Sequence, residues 1–174
     1  MVVALTRAGA RGKALWAAIG LIGALLVAGC DEAAKTARTD QGAPELVATD
    51  RQDAVVRLAD QRGKVVLINF WLAECGPCLA EMPDFDGFYR ETRGRGFEIL
   101  AINMGQEDKV VGDVARRLQV SFPLLTDALG ITTKRYEVVA APTSFLIDRE
   151  GKLVARFNSP LNRAALEKAV GPLL

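Results

Sequence analysis

Val65-Val66-Leu67-Ile68-Asn69-Phe70-Trp71, with Cys75-Gly76-Pro77-Cys78 beginning four residues further on, is the stretch that decides the fold. The first seven residues are almost all apolar and rich in β-branched side chains. A strand with one wet face alternates, so this run fits a strand buried on both faces of a parallel sheet. The segment after Cys75, to about residue 93, carries Leu79, Met82, Phe85 and Tyr89 at helical spacing, with Pro83 inside it and expected to bend it. Working outward, residues 97–103 read as the next buried strand and residues 109–118 as a helix with Val110, Val114 and Leu118 on one face. Residues 122–125 and 128–136 repeat the strand and helix more weakly. Residues 143–148 and 152–157 flank Arg149-Glu150-Gly151, whose glycine suits a tight reversal, and so predict an antiparallel hairpin. Residues 162–170 close with a helix, and upstream residues 46–49 and 55–58 read as a short hairpin. This order predicts an α/β fold with a mixed central sheet and helices on both faces.

The cysteine pair falls where strand gives way to helix. Two intervening residues wound into a first helical turn bring the sulfurs close enough to bond or part without rebuilding the backbone. Pro77 is compatible with that turn, because amides of a first turn have no intrahelical partner to lose. The remaining free amides and the helix dipole favour a thiolate at Cys75, by ~0.3–1 kcal/mol at a surface and up to ~2 kcal/mol when partly buried. Cys75 is therefore the expected nucleophile, and Cys78, one turn further in, the resolving thiol. A structural zinc site takes four ligands, and a chain of three cysteines and no histidine offers no such set, so no metal is expected. A static disulfide gains most by closing a long loop, and this one closes almost none.

Composition narrows the remaining classes. The chain has 174 residues, 50% of them hydrophobic and 25% charged, enough for one domain with its own core. Its 22 basic and 21 acidic residues leave a net charge of +1, which lacks the basic footprint of nucleic-acid binding. The absence of histidine removes every Ser-His and Cys-His nucleophile pair and every imidazole base.

The N-terminus reads as an address. Arg7, Arg11 and Lys13 precede an uncharged run from Ala14 to Gly29, which ends Leu26-Val27-Ala28-Gly29-Cys30. The run is short for a membrane span, which needs ~20 residues, and long enough for a signal peptide. Its ending resembles a bacterial lipobox, which implies cleavage before Cys30 and acylation of Cys30. Residues 1–29 are thus expected to be a lipoprotein-type signal peptide, residues 30–44 a lipid-anchored flexible spacer without fold, and residues 45–174 the folded domain. Asp31 resembles the signal that retains lipoproteins at the inner membrane.

With these motifs in place, a family can be named. Residues 69–78, then Glu81-Met82-Pro83, then Ala141-Pro142-Thr143-Ser144-Phe145-Leu146-Ile147-Asp148 resemble the thioredoxin superfamily, and most closely its TlpA/ResA group of membrane-tethered thiol:disulfide oxidoreductases. The resemblance covers residues 45–174. It implies a thioredoxin-like fold and reduction of disulfides in extracytoplasmic proteins, among them apocytochrome c haem-binding cysteines and copper-site assembly proteins. It also implies electrons supplied by a membrane thiol relay, a domain in the periplasm on the outer face of the inner membrane, a monomer, and no cofactor beyond the redox-active Cys75 and Cys78 pair. Residue by residue, Pro142 matches the cis-proline that faces the dithiol, and Ala141 the residue whose backbone pairs with an extended substrate. Glu81 matches the buried glutamate of this group, which would accept the proton of Cys78 in place of the missing histidine. Asn69 stands where thioredoxin has a buried aspartate. Trp71 and Glu74 are expected beside the substrate, and Gly76 and Pro77 form the active-site turn. Glu74 departs from the pattern, which has an aromatic there, and a carboxylate beside Cys75 disfavours its thiolate unless it points to solvent.

An oxidase or isomerase of the same fold, and a non-catalytic binding lipoprotein, remain as alternative readings. A copper-delivery protein of the SCO type would need a C-x-x-x-C spacing and a histidine, and a peroxidase a P-x-x-x-T-x-x-C motif; the chain has neither.

Overall fold

The computed structural model describes residues 42–174. The expected signal peptide, Cys30 and most of the expected spacer therefore lie outside the described residues. Seven strands form one sheet in the order β2-β1-β5-β4-β3-β6-β7. At its centre β3 (Val65–Trp71) pairs in parallel with β4 (Phe97–Asn103) and antiparallel with β6 (Thr143–Ile147). β5 (Leu124–Thr126) continues the parallel set beside β4, and β7 (Leu153–Phe157) closes the other edge against β6. The hairpin of β1 (Val47–Thr49) and β2 (Val55–Arg57) joins through a single pairing of Thr49 with Thr126.

All seven residues of β3 are buried, and their alternation divides the core in two. Val65, Leu67 and Trp71 point to one cluster, with Cys78, Met82 and Phe85 of α1 (Gly76–Thr92), Val111 and Val114 of α2 (Asp108–Leu118), and Leu166 and Val170 of α4 (Arg163–Val170). Val66, Ile68 and Phe70 point to the other, with Leu46, Tyr136 and Phe145. Helices do cover both faces, but unequally. Three lie on the first face, while among the described residues the second is covered by the five-residue α3 (Ile131–Arg135) with its flanking residues, the β1–β2 hairpin and Leu58 just after it. There Phe70, Tyr136 and Phe145 fill the space with ring centroids 5.0–5.8 Å apart. Among the described residues no helix is long and apolar enough to cross a membrane.

Two expected boundaries shift. The weak strand and helix at 122–125 and 128–136 become β5 and α3, because Asp127 turns the chain first. Gly130, at φ +65, sends its N–H to the Asp127 carbonyl (2.9 Å), and the Asp127 carboxylate then accepts from the N–H groups of Thr132 (3.2 Å) and Thr133 (2.7 Å). These bonds satisfy first-turn donors of α3, which begins at Ile131, after the turn from Asp127 to Gly130. Of the expected spacer, residues 42–44 are described, and they pair with the folded domain. Ala43 donates to the Gly151 carbonyl (2.9 Å), Gly42 bridges to Lys152, and the Pro44 carbonyl accepts the Tyr136 hydroxyl (2.6 Å). The β6–β7 turn offers free backbone acceptors at the surface, and these residues pair with them. α1 runs through Pro83 as one helix.

Leu67 is fully buried between β4, β6 and α1. Leu67→Ala is expected to cost about 2–5 kcal/mol, read as a lower urea midpoint with an unchanged slope.

Candidate active site

Four residues separate the end of β3 from the start of α1, and Cys75 is the N-cap of that helix. Its Sγ accepts from the Cys78 N–H at 3.2 Å, so a group with a free lone pair meets one of the orphan donors of the first turn. Gly76 and Pro77 are the first two helical residues, both exposed, and Pro77 stands where a missing N–H costs nothing. The two cysteines are joined by a disulfide of 2.07 Å with Cα atoms 5.3 Å apart. Their environments differ sharply. Cys75 is half-buried, whereas Cys78 has no exposed surface and belongs to the core beneath α1. An incoming thiol or disulfide can reach the first sulfur and not the second.

Glu81 lies one turn beyond Cys78 on the inner face of α1, and only 4% of its surface is exposed. Asn69 of β3 points to the same side of the sheet and donates through Nδ2 to Glu81 Oε1 at 2.8 Å and to Ser144 Oγ at 3.0 Å. The Leu161 N–H, just before α4, donates to Glu81 Oε2 at 2.8 Å. Burial disfavours the charged carboxylate more than these two donors favour it, so its pKa is pushed up to about 7. At neutral pH the group can therefore both hold and release a proton.

The Ala141-Pro142 peptide bond is cis. Thr143 pairs with Phe70, which carries Pro142 to the end of β3 from which the dithiol loop departs. Pro142 is buried, and Ala141 is half-buried and, like Cys75, packs against the cluster that contains Cys78. Among the described residues the backbone groups of Ala141 take part in none of the loop or turn hydrogen bonds. Trp71 corrects the expectation of a substrate contact. It is fully buried, because its phase on β3 directs it inward under α1, and its Nε1 has no protein partner.

Glu74 is exposed, and it is held by a residue the sequence reading missed. Gln106 Nε2 donates to Glu74 Oε2 at 2.6 Å, while Gln106 Oε1 accepts from the Ala73 N–H at 2.7 Å and from Asn103 Nδ2 at 2.9 Å. Ser144 and Leu161 were missed as well. Asn69, Asn103 and Ser144 are polar positions inside buried strands, a signal readable from the sequence; the Leu161 N–H is a backbone group and leaves none.

Comparison with known proteins agrees with this geometry. The sequence profile of the AhpC/TSA family matches residues 39–156. The thiol-disulfide oxidoreductase ResA of Bacillus cereus (strain ATCC 10987 / NRS 248) is 32% identical over 86% of this chain and 86% of its own length. Among solved structures, a Chlorobium tepidum protein described as a thiol:disulfide interchange protein DsbE superposes with TM-score 0.72 at 27% identity, over 81% of this chain and 99% of that one. The thioredoxin domain of a thiol-disulfide oxidoreductase from Bacteroides vulgatus superposes with TM-score 0.70 at 26% identity, over 79% and 98%.

The raised Glu81 pKa has a thermodynamic consequence. The folded state binds its proton more tightly than the unfolded state, so this contribution is fully present below about pH 4.5 and is lost as pH rises through 7. Denaturation of the oxidised protein should show stability falling by up to about 3 kcal/mol across that window relative to Glu81→Gln, whose curve lacks this component. Parallel curves for the two proteins would contradict it.

With an accessible sulfur on a helix N-terminus, a buried partner beneath it and these relatives, the chain belongs to the AhpC/TSA family of the thioredoxin superfamily and is a thiol-disulfide oxidoreductase of the ResA/DsbE type.

Proposed function

We propose that the protein is a membrane-tethered, extracytoplasmic reductant of protein disulfides. The observation that carries this reading is the asymmetry of the pair: Cys75 reachable at the N-cap of α1, Cys78 sealed below it. In the reduced protein the Cys75 thiolate attacks one sulfur of a substrate disulfide. A mixed disulfide forms and the other substrate sulfur leaves as a thiolate. Cys78 gives its proton to Glu81, attacks the Cys75 sulfur, and releases the second substrate thiolate. Two electrons pass to the substrate, and the protein is left with the Cys75–Cys78 disulfide. A membrane dithiol donor returns it to the reduced form. Ala141 and Pro142 receive the substrate strand. The lipobox-like ending at Cys30 supports a lipid anchor on the outer face of the inner membrane, where two or more acyl chains hold a protein durably. Haem-binding cysteines of apocytochrome c and cysteines of copper-site assembly proteins are the substrates in view.

Cys75→Ala should abolish insulin reduction, and Cys78→Ala should accumulate mixed disulfides through Cys75 in native membranes, visible on non-reducing gels. A Cys75→Ala variant that still reduces insulin would refute this function. Glu81→Gln should remove an inflection near pH 7 from the rate of mixed-disulfide resolution; an unchanged profile excludes Glu81 as the proton acceptor.

A further inference from the structure

Glu74 precedes the attacking sulfur directly, and it is the only exposed charge between residues 72 and 83. The facing segment, residues 138–144, carries no charge either. Gly76, Pro77 and Ala80 after Cys75, and Val139 and Ala140 ahead of the cis-Pro142, are all exposed and uncharged. Among the described residues Glu74 enters no ion pair.

A mobile surface carboxylate contributes little, because ordering it offsets the Coulomb gain. This one is already ordered. Gln106 Oε1 is occupied by Ala73 N–H and Asn103 Nδ2, and the Gln106 N–H donates to Asn103 Oδ1 at 2.9 Å. Asn103 is fully buried at the end of β4, and its carbonyl accepts the N–H groups of Gly105 and Asp127 at 2.9 and 3.1 Å. Gly105, at φ +84, makes the tight return that this anchoring needs. With its oxygen and backbone fixed, Gln106 presents Nε2 to Glu74 Oε2, while Oε1 of Glu74 takes no hydrogen bond from the described residues.

We infer that Glu74, clasped by Gln106, is a specificity-determining residue: a fixed acidic lip that selects disulfides bearing a basic residue beside the attacked cysteine and disfavours those flanked by an acidic one. The inference rests on Cys75 being the sulfur that attacks substrate. Adjacent Cα atoms are about 3.8 Å apart, so the carboxylate lies within about one Debye length, ~10 Å at 0.1 M salt, of the reacting sulfurs. A cation at that distance is drawn in before any bond changes, and a pre-ordered partner loses little entropy on meeting it.

The test uses the reduced full-length protein and three model peptides, each with one intramolecular disulfide, differing only in Lys, Gln or Glu next to the exposed cysteine. At low salt the second-order rate constant should be about three- to tenfold higher for the Lys peptide than for the Glu peptide, with the Gln peptide between. The ratio should shrink toward one at about 1 M salt, where the Debye length is ~3 Å. Glu74→Lys should invert the order, and Gln106→Ala, which frees the carboxylate, should narrow it. Equal rates for the Lys and Glu peptides in the wild type, or an unchanged order in Glu74→Lys, would overturn the acidic lip. An unchanged ratio in Gln106→Ala would overturn the clasp. Failure to reduce any of the three peptides would overturn the reductant function itself, and the inference with it.

Discussion

Burial of β3 on both faces is the constraint on which the site depends. A strand with one covered face can slip by two residues and keep its pattern; one packed against α1, α2 and α4 on one side and the Phe70, Tyr136 and Phe145 cluster on the other loses specific contacts in both layers. Its seven parallel pairings with β4 and five antiparallel pairings with β6 hold it further. The exit point of the chain after Trp71 is therefore fixed, and with it the N-cap position of Cys75. The same packing decides that the next inward residue of α1, Cys78, lies beneath protein rather than in water.

That geometry also brings a carboxylate and its controls into one layer. Asn69 is on β3, Glu81 on α1, Ser144 on β6 and Leu161 just before α4, so the cluster exists only when sheet and helices are packed. Two N–H donors aimed at Glu81 favour its charged form, while a nearly complete loss of water opposes it. The opposition is what brings a glutamate to about pH 7, a range that histidine occupies without help and that this chain reaches with no histidine at all.

Much of this was legible in the sequence because the strongest signals were periodic. β3 and β4 fall where their apolar runs stand, and the closing hairpin where Gly151 permits a turn. The dithiol was legible through spacing, and the candidate proton acceptor through the family resemblance, with Glu81 three residues after Cys78 and so on the same helix face. What escaped was decided by side chain to backbone bonding. The turn from Asp127 to Gly130 precedes α3 and the Asp127 carboxylate holds its first amides, and the β6–β7 turn captures residues that composition marks as spacer. Trp71 was expected beside the substrate, although the period of two along β3 already assigned it inward. Gln106 left no trace, because neither composition nor period says which loop closes over Glu74.

The departures from ordinary packing gather on one side of the sheet. Trp71 Nε1 and Asn69 Oδ1 are buried without a protein partner, and Glu81 is a buried ionisable group, all in the layer between β3 and α1. An unmet buried polar atom costs about 1–3 kcal/mol, a large share of the 5–15 kcal/mol by which a domain is stable. On the opposite face the comparable polar group, the Tyr136 hydroxyl, is satisfied by the Pro44 carbonyl, and the three aromatic rings pack edge to face or tilted. The well-satisfied face therefore offsets the costly one. The Tyr136 bond to Pro44 and the packing of Leu46 in the same cluster belong to that face, so the start of the folded region contributes to its stability.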